Sequence, residues 1–245
     1  MSSLRKLELG GSNSNSTNIL QSLKSFSSLE SLAYIHSNLT APVITYALTN
    51  LSSLEYLYLE GSALNDNFLS SIGQMTSLKV LSLAFGGNYG TLPNQGWCEL
   101  KNIQELAFTN NNFEGTLPSC LGNLTSLKWL DLDGNYFTGN IDSHPFWRRL
   151  ASLEYLDISF NQFEVPPSFK QFANHSKLTY LNVGHNTITR DTEFQNGIPN
   201  FQLQFFAVEG CINLQKLPSF LHYQYDLRVL AIDGNQLPGN FQPGC

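Results

Sequence analysis

One pattern of nine residues, Leu-x-x-Leu-x-Leu-x-x-Asn, recurs along this 245-residue chain at intervals of 24 to 26 residues. Residues 103–111, 127–135 and 153–161 are three well-formed copies. In the copies at 127–135 and 153–161 an aspartate separates the second and third apolar residues, and such alternation is typical of a short strand that buries one face. The copies begin at Leu4, Leu29, Leu54, Leu78, Ile103, Leu127, Leu153, Leu178, Leu203 and Leu227.

A repeat of this length cannot bury its hydrophobic face alone, so successive units must stack on one another. The pattern therefore predicts an α/β leucine-rich-repeat solenoid, a curved right-handed superhelix. A parallel β-sheet forms its concave face and short 3₁₀ or helical turns form its back. We expect residues 1–245 to be a single domain of about ten repeats. Because the chain begins and ends within a repeat, we also expect it to be uncapped at both ends and to be part of a longer protein or a truncated gene product.

The residue that ends each nine-residue pattern forms a column that we call the asparagine ladder. An asparagine amide can bond backbone groups of neighbouring turns, which a buried bend requires. The unit that begins at Leu78 is irregular, because Gly86 occupies the ladder position and Asn88 follows two residues later. We therefore predict a local distortion there. The ladder residues elsewhere are Asn111, Asn135, Asn161, Asn186 and Asn235, with Ser12, Ser37, Ser62 and Cys211 as substitutes.

The segment after the ladder distinguishes one subclass of repeat from another. Residues 111–118 have the sequence NNFEGTLP, and residues 135–141, NYFTGNI, are a second copy without the proline. This element resembles the plant-specific leucine-rich repeat. Longer phrases at residues 98–102, 117–127, 172–178 and 218–230 are similar to ectodomains of plant receptor-like proteins, including the branch named for a receptor of parasitic dodder.

The resemblance implies a function and a location. Such proteins have a signal peptide, a cysteine-capped ectodomain, one transmembrane helix and a short tail without a kinase. The implied function is a non-catalytic ectodomain fragment at the extracellular side of the plasma membrane, acting in defence or peptide perception. Its partners would be an extracellular peptide or protein ligand and a co-receptor kinase. This chain shows no signal peptide and no stretch of about 20 apolar residues that could span a membrane. Two alternatives stay open: a secreted inhibitor of a microbial wall-degrading enzyme, or a truncated product without independent function.

Alternation along the strands places three columns of side chains on the outward, concave face. The first column has four consecutive aromatic residues, and the next two contain carboxylates. Such a surface suits an extended peptide with basic or polar groups. Alternatively, the aromatic rings only stiffen the sheet by stacking between strands. The candidate ligand-binding residues are Trp129, Tyr155, Tyr180, Phe205, Asp131, Asp157 and Asp133.

Charge and motif content exclude several classes of function. The formal net charge is −6 and no lysine- or arginine-rich run is present, which argues against nucleic acid as a partner. No metal-ligand spacing or cofactor motif is found, so we expect no metal and no cofactor. Asp131 and Asp157 lie side by side on neighbouring strands. Because an open sheet face offers no desolvated pocket, we expect them to be solvated, with unshifted pKa values, and the protein not to be an enzyme.

Two kinds of covalent modification are expected if the protein is secreted. Three of its five glycosylation sequons lie four residues before the first leucine of a unit, which places them on one outer edge. Cys98 and Cys120 lie about one repeat apart on the back of adjacent coils, where they could form a disulfide. Cys211, at a ladder position, is interpreted as structural. The sequon asparagines are Asn15, Asn38, Asn50, Asn123 and Asn174.

Overall fold

The ten repeats place their strands side by side in one parallel sheet. The computed structural model describes residues 3–10, 22–23, 25–35, 48, 51–64, 67–189 and 198–237. Each strand pairs with the strand of the next repeat, in the order β1-β2-β3-β4-β6-β8-β10-β12-β14-β15. These strands are β1 Lys6–Gly10, β2 Ser31–Ile35, β3 Tyr56–Tyr58, β4 Val80–Ser82, β6 Glu105–Ala107, β8 Trp129–Asp131, β10 Tyr155–Asp157, β12 Tyr180–Asn182, β14 Phe205–Ala207 and β15 Val229–Ala231.

A second parallel sheet flanks the first, in the order β13-β11-β9-β7-β5. It is built from the segments that follow the ladder residues, which the sequence predicted only as short extended stretches. Because each segment leaves its ladder residue in the same direction, successive copies pair in parallel. Its strands are β5 Tyr89–Thr91, β7 Asn112–Thr116, β9 Tyr136–Asn140, β11 Gln162–Val165 and β13 Thr187–Ile188.

Short helical turns form the back of the solenoid, as the spacing of Leu121 and Leu124 predicted. The helix α1 covers Asn67–Ser71. The 3₁₀ turns are Ile72–Gln74, Trp97–Glu99, Ser119–Asn123, Ile141–Ser143, Pro145–Arg149, Lys170–Phe172 and Ser219–Tyr223. Cys98 and Cys120 lie in adjacent turns of this layer and are joined by a disulfide, with their Cα atoms 5.7 Å apart.

The core runs through the middle of the coils as columns of equivalent side chains. The central residue of each main-sheet strand from β3 to β14, such as Leu130, Leu156 or Leu181, is buried. A second column, two residues past the ladder, contains Phe113, Phe137 and Phe163. Their rings stack in succession, with centroids 6.1 Å apart for the first pair and 6.2 Å for the second. Phe137 is therefore buried between the rings of both neighbouring units.

The asparagine ladder satisfies the backbone at the bend after each strand. The Asn161 amide donates to the carbonyl oxygens of Leu132, Ile158 and Ser159, at 2.9 to 3.2 Å. Its Oδ1 accepts the backbone N–H of Phe137 at 2.9 Å. One buried side chain thus links its own turn to the preceding one.

The ladder positions of Cys211 and Gly86 depart from the asparagine pattern in different ways. Cys211 fills its position as predicted, and its thiol donates to the carbonyl oxygen of Val183 at 3.5 Å. In the irregular unit, Asn88 reaches back into the ladder and its Oδ1 accepts the N–H of Leu64 at 2.6 Å. A side chain at Gly86 would overlap the Asn88 amide, so glycine leaves the space that this amide needs. Ser12 and Ser37 lie outside the described residues.

Candidate functional site

The four aromatic residues predicted on the concave face form one continuous stack, which we call the aromatic row. Sheet pairing aligns Trp129 with Tyr155, Tyr155 with Tyr180, and Tyr180 with Phe205. Successive ring centroids are 3.5, 4.1 and 4.2 Å apart, with interplanar angles of 3°, 14° and 5°. The inner faces of the rings therefore cover one another.

Stacking leaves the edges of the rings and the outer end of the row as the surface open to a partner. Trp129, at one end, remains 41% exposed, whereas Tyr155, Tyr180 and Phe205 are half-buried. The other two tryptophans, Trp97 and Trp147, are each 1% exposed. Trp129 is consequently the accessible indole of the chain. The rings stack between strands and also expose their edges. This geometry therefore fits both a ligand-binding role for the row and a role in stiffening the sheet.

The carboxylates beside the row are more deeply held than the sequence suggested. Asp157 is only 6% exposed. Its Oδ1 accepts the Ser159 hydroxyl at 2.5 Å and its Oδ2 accepts the Asn182 amide at 3.0 Å. The same Ser159 hydroxyl lies 2.9 Å from Oδ1 of Asp133. Ser159 and Asn182, which sequence reasoning did not assign to the site, therefore hold these carboxylates in place.

The expectation of ordinary pKa values on this face is wrong for Asp131. The pKa of Asp131 is raised to about 6, mainly because the carboxyl group is buried. The hydrogen bond from the backbone N–H of Asp133 lowers this pKa, whereas repulsion from Asp157 raises it further. Burial likewise raises the pKa of Asp133. The physical reason is that the aromatic row and the neighbouring strands exclude water from a column that alternation alone places in solvent.

Replacing Asp131 by asparagine is expected to stabilise the fold at neutral pH. Since the folded-state pKa is raised, the protonated form is favoured by folding, and the wild type loses stability as pH rises from about 4 to about 6. The amide of the variant would stay neutral, so we expect a gain of about 1–2 kcal/mol at pH 8, after allowing for partial exposure, and almost none at pH 4. Urea unfolding of both proteins at pH 4 and pH 8 measures this difference in the free energy of unfolding between variant and wild type. An equal difference at the two pH values would contradict the raised pKa of Asp131.

The described residues around these carboxylates do not form a metal-binding group. Both oxygens of Asp157 accept bonds from neighbouring side chains, namely Ser159, Asn182 and, at 3.4 Å, the hydroxyl of Tyr180. In the described part of the chain, no three histidine, cysteine, aspartate or glutamate side chains are grouped as a metal ion would require.

A second pair of aromatic side chains lies at the carboxyl-terminal edge of the main sheet. The rings of Phe160 and His185 stack with centroids 3.9 Å apart and an interplanar angle of 17°. Both residues directly precede a ladder asparagine and both have left-handed backbones, with φ of 49° and 53°. Sequence reasoning missed this pair. The available signal was the appearance of Phe and His where other units have glycine, at Gly134, Gly210 and Gly234.

Two of the five predicted glycosylation asparagines fall within the described structure. Asn123 and Asn174 are both exposed, and each lies four residues before the first leucine of a unit. Asn123 accepts a long bond from Arg149 at 3.4 Å, and Asn174 accepts one from Asn200 at 3.5 Å. Asn15, Asn38 and Asn50 lie outside the described residues. Modification at all five stays a prediction.

Comparison with known families supports the repeat architecture. The model of the family described as a leucine-rich repeat region matches residues 12–239. The chain belongs to the leucine-rich repeat family. The resemblance to plant receptor-like proteins is also confirmed. Cuscuta receptor 1 of Solanum lycopersicum is 74% identical over 178 residues, which cover 73% of this chain and 16% of that protein.

Other members of the leucine-rich repeat family are similar at lower identity. Receptor-like protein 1 of Arabidopsis thaliana is 32% identical over 162 residues, which are 64% of this chain and 15% of that protein. The chain thus spans about a sixth of the length of these relatives. Among solved structures, the Arabidopsis receptor kinase HAESA, in complex with the peptide hormone IDA and the co-receptor SERK1, has the same fold. It gives a TM-score of 0.66 at 24% identity, with 96% of this chain and 43% of that chain covered.

The helices of the described residues are short turns at the back of the solenoid. None of them has the length and apolar character needed to cross a membrane.

Proposed function

We propose that this chain is the ligand-binding part of a plant cell-surface receptor-like protein and that it binds an extracellular peptide or protein on its concave face. The relatives of this chain are receptors by name. Binding without catalysis is the activity that an open, curved sheet supports best.

One observation carries this proposal: the aromatic row occupies the outward face of four consecutive strands. Its residues could be replaced by small polar ones without loss of the leucine core, because the core uses the opposite face. The row therefore places large, rigid side chains where they contact solvent at their edges. Aromatic side chains of this kind dominate the energetics of protein interfaces.

The location and partners follow from the relatives and belong to the same proposal. A receptor-like protein acts at the extracellular side of the plasma membrane, in peptide perception or defence, and without a kinase of its own it needs a co-receptor kinase. The complex of HAESA with a peptide hormone and a co-receptor shows that this fold can hold both kinds of partner in another protein.

The test is selection of peptides from a random library displayed on phage, with the purified chain as bait. We expect the wild type to enrich a set of related peptides. The double variant Trp129→Ala with Tyr155→Ala should bind the synthetic peptides at least about tenfold more weakly, because truncating interface aromatics typically costs more than 1 kcal/mol each.

A matched control removes two exposed tyrosines from the flanking sheet instead. Tyr89 and Tyr136 are 66% and 52% exposed, and the variant Tyr89→Ala with Tyr136→Ala should bind like the wild type. Thermal unfolding should stay cooperative in both double variants. If no peptide is enriched, or if the Trp129 and Tyr155 variant binds with unchanged affinity, the concave aromatic row is not the binding surface.

A further inference from the structure

Three solvent-facing aromatic residues occupy a backbone conformation that suits glycine. Phe85, Phe160 and His185 have φ between 49° and 58°, and Phe85 and Phe160 are 61% and 54% exposed. A bulky residue in this region is strained, and an exposed ring gains little burial in return. Glycine or asparagine at the same position in other units, such as Gly134 and Asn110, avoids this strain. Phe160 and His185 differ from Phe85 because they lie beside the carboxylates of the candidate site.

The residue before Phe160 contacts a carboxylate of the candidate site. The hydroxyl of this residue, Ser159, lies within hydrogen-bond distance of Asp133. Burial raises the pKa of the Asp133 carboxyl, and His185 opposes that rise. One face of the Phe160 ring lies on His185. Gly134, at the equivalent position of the preceding unit, has no side chain to cover the opposite face.

The lysine, arginine, aspartate and glutamate side chains at the outward positions around this pair are all acidic. From β6 to β15, the three outward columns contain six carboxylates and no lysine or arginine. These carboxylates are Glu105, Asp131, Asp133, Asp157, Glu209 and Asp233. A partner that lies along this surface must bring positive charge to match it.

We propose that Phe160 and His185 form a second aromatic wall, parallel to the aromatic row, and that a lysine or arginine side chain of an extended peptide binds between the two walls. The cationic group lies on the open face of Phe160 and contacts the carboxylate of Asp133, since a cation is attracted both by a ring face and by a carboxylate. This inference rests on the proposed function and specifies its ligand as a cationic peptide.

The chain offers a matched pair of variants for the test. Phe160→Asn places at this position the residue type that Asn110 already has in the same conformation, so the fold tolerates it. Phe85→Asn makes the same change three units away. The probes are the synthetic peptides selected on the wild type, together with copies in which each lysine or arginine is replaced by glutamine.

We expect the selected peptides to be rich in lysine or arginine. Phe160→Asn should weaken their binding about tenfold, and Phe85→Asn should leave it unchanged. Replacing one cationic residue by glutamine should weaken binding to the wild type similarly and have much less effect on the Phe160→Asn variant. The melting temperature of Phe160→Asn should stay close to that of the wild type, which separates lost binding from lost folding.

Several outcomes would overturn the inference. Selected peptides without a cationic residue, or full affinity for Phe160→Asn, would remove Phe160 from the ligand site. If these peptides still required Trp129 and Tyr155, the proposed function would stand and only the cationic contact would fall. If the wild type selected no peptide, both would fall together.

Discussion

Replacing Phe137 by alanine is expected to lower the free energy of unfolding by about 3–5 kcal/mol. The ring is fully buried and contacts a phenylalanine ring on each side, Phe113 and Phe163. Its removal would leave a cavity that spans the interface between three consecutive coils. Because units of a solenoid are stabilised mainly by their neighbours, a defect at one interface weakens both adjoining units.

Urea unfolding, followed by circular dichroism, measures this change, and Tyr136→Ala is the matched control. Tyr136 precedes Phe137 in the same strand, has a ring of similar size and is 52% exposed. We expect its replacement to change stability by less than about 1 kcal/mol. A similar loss for both variants would show that the phenylalanine column does not join the coils as described.

Replacing Asn161 by alanine is expected to lower the free energy of unfolding by about 3 kcal/mol. The variant loses three donated bonds, to Leu132, Ile158 and Ser159. It also leaves the N–H of Phe137 without the oxygen that accepts it. Most of the loss comes from backbone groups that stay buried without a hydrogen-bond partner, because their desolvation is no longer compensated by a hydrogen bond.

Asn235 is the appropriate comparison, since its amide donates to Val208 and Ile232 and accepts the N–H of Cys211. Asn235 is only half-buried, so in the alanine variant water can replace some of the hydrogen bonds that the Asn235 side chain makes. We expect the loss for Asn235→Ala to be less than half of that for Asn161→Ala. Equal losses would mean that burial of the ladder does not set its contribution.

The main sheet and its register could be predicted from the sequence because repetition fixes both. Each copy places its apolar residues at the same two strand positions, so stacking the copies aligns equivalent residues. The alignment of Trp129, Tyr155, Tyr180 and Phe205 follows from this, as does the role of Cys211 in the ladder. The distortion predicted near Gly86 was also found, because Asn88 completes the ladder from two residues away.

Features that depend on contacts between side chains could not be predicted in this way. Alternation gives the direction of a side chain but not its accessibility, so it placed Asp157 in solvent although the aromatic row, Ser159 and Asn182 enclose it. The second sheet depends on pairing between segments whose pattern is too short to indicate strands. The Phe160 and His185 stack requires a left-handed backbone, which sequence alternation does not predict for aromatic residues.

Fluorescence quenching of Trp129 tests most directly whether a ligand binds on the concave face. Of the three tryptophans, Trp97 and Trp147 are buried and Trp129 is accessible, so quenching by acrylamide reports mainly on the end of the aromatic row. With a selected peptide at saturation, we predict that the quenchable fraction of the emission falls sharply, because the peptide covers the indole. An unchanged quenchable fraction at saturation would place the ligand elsewhere and contradict the account.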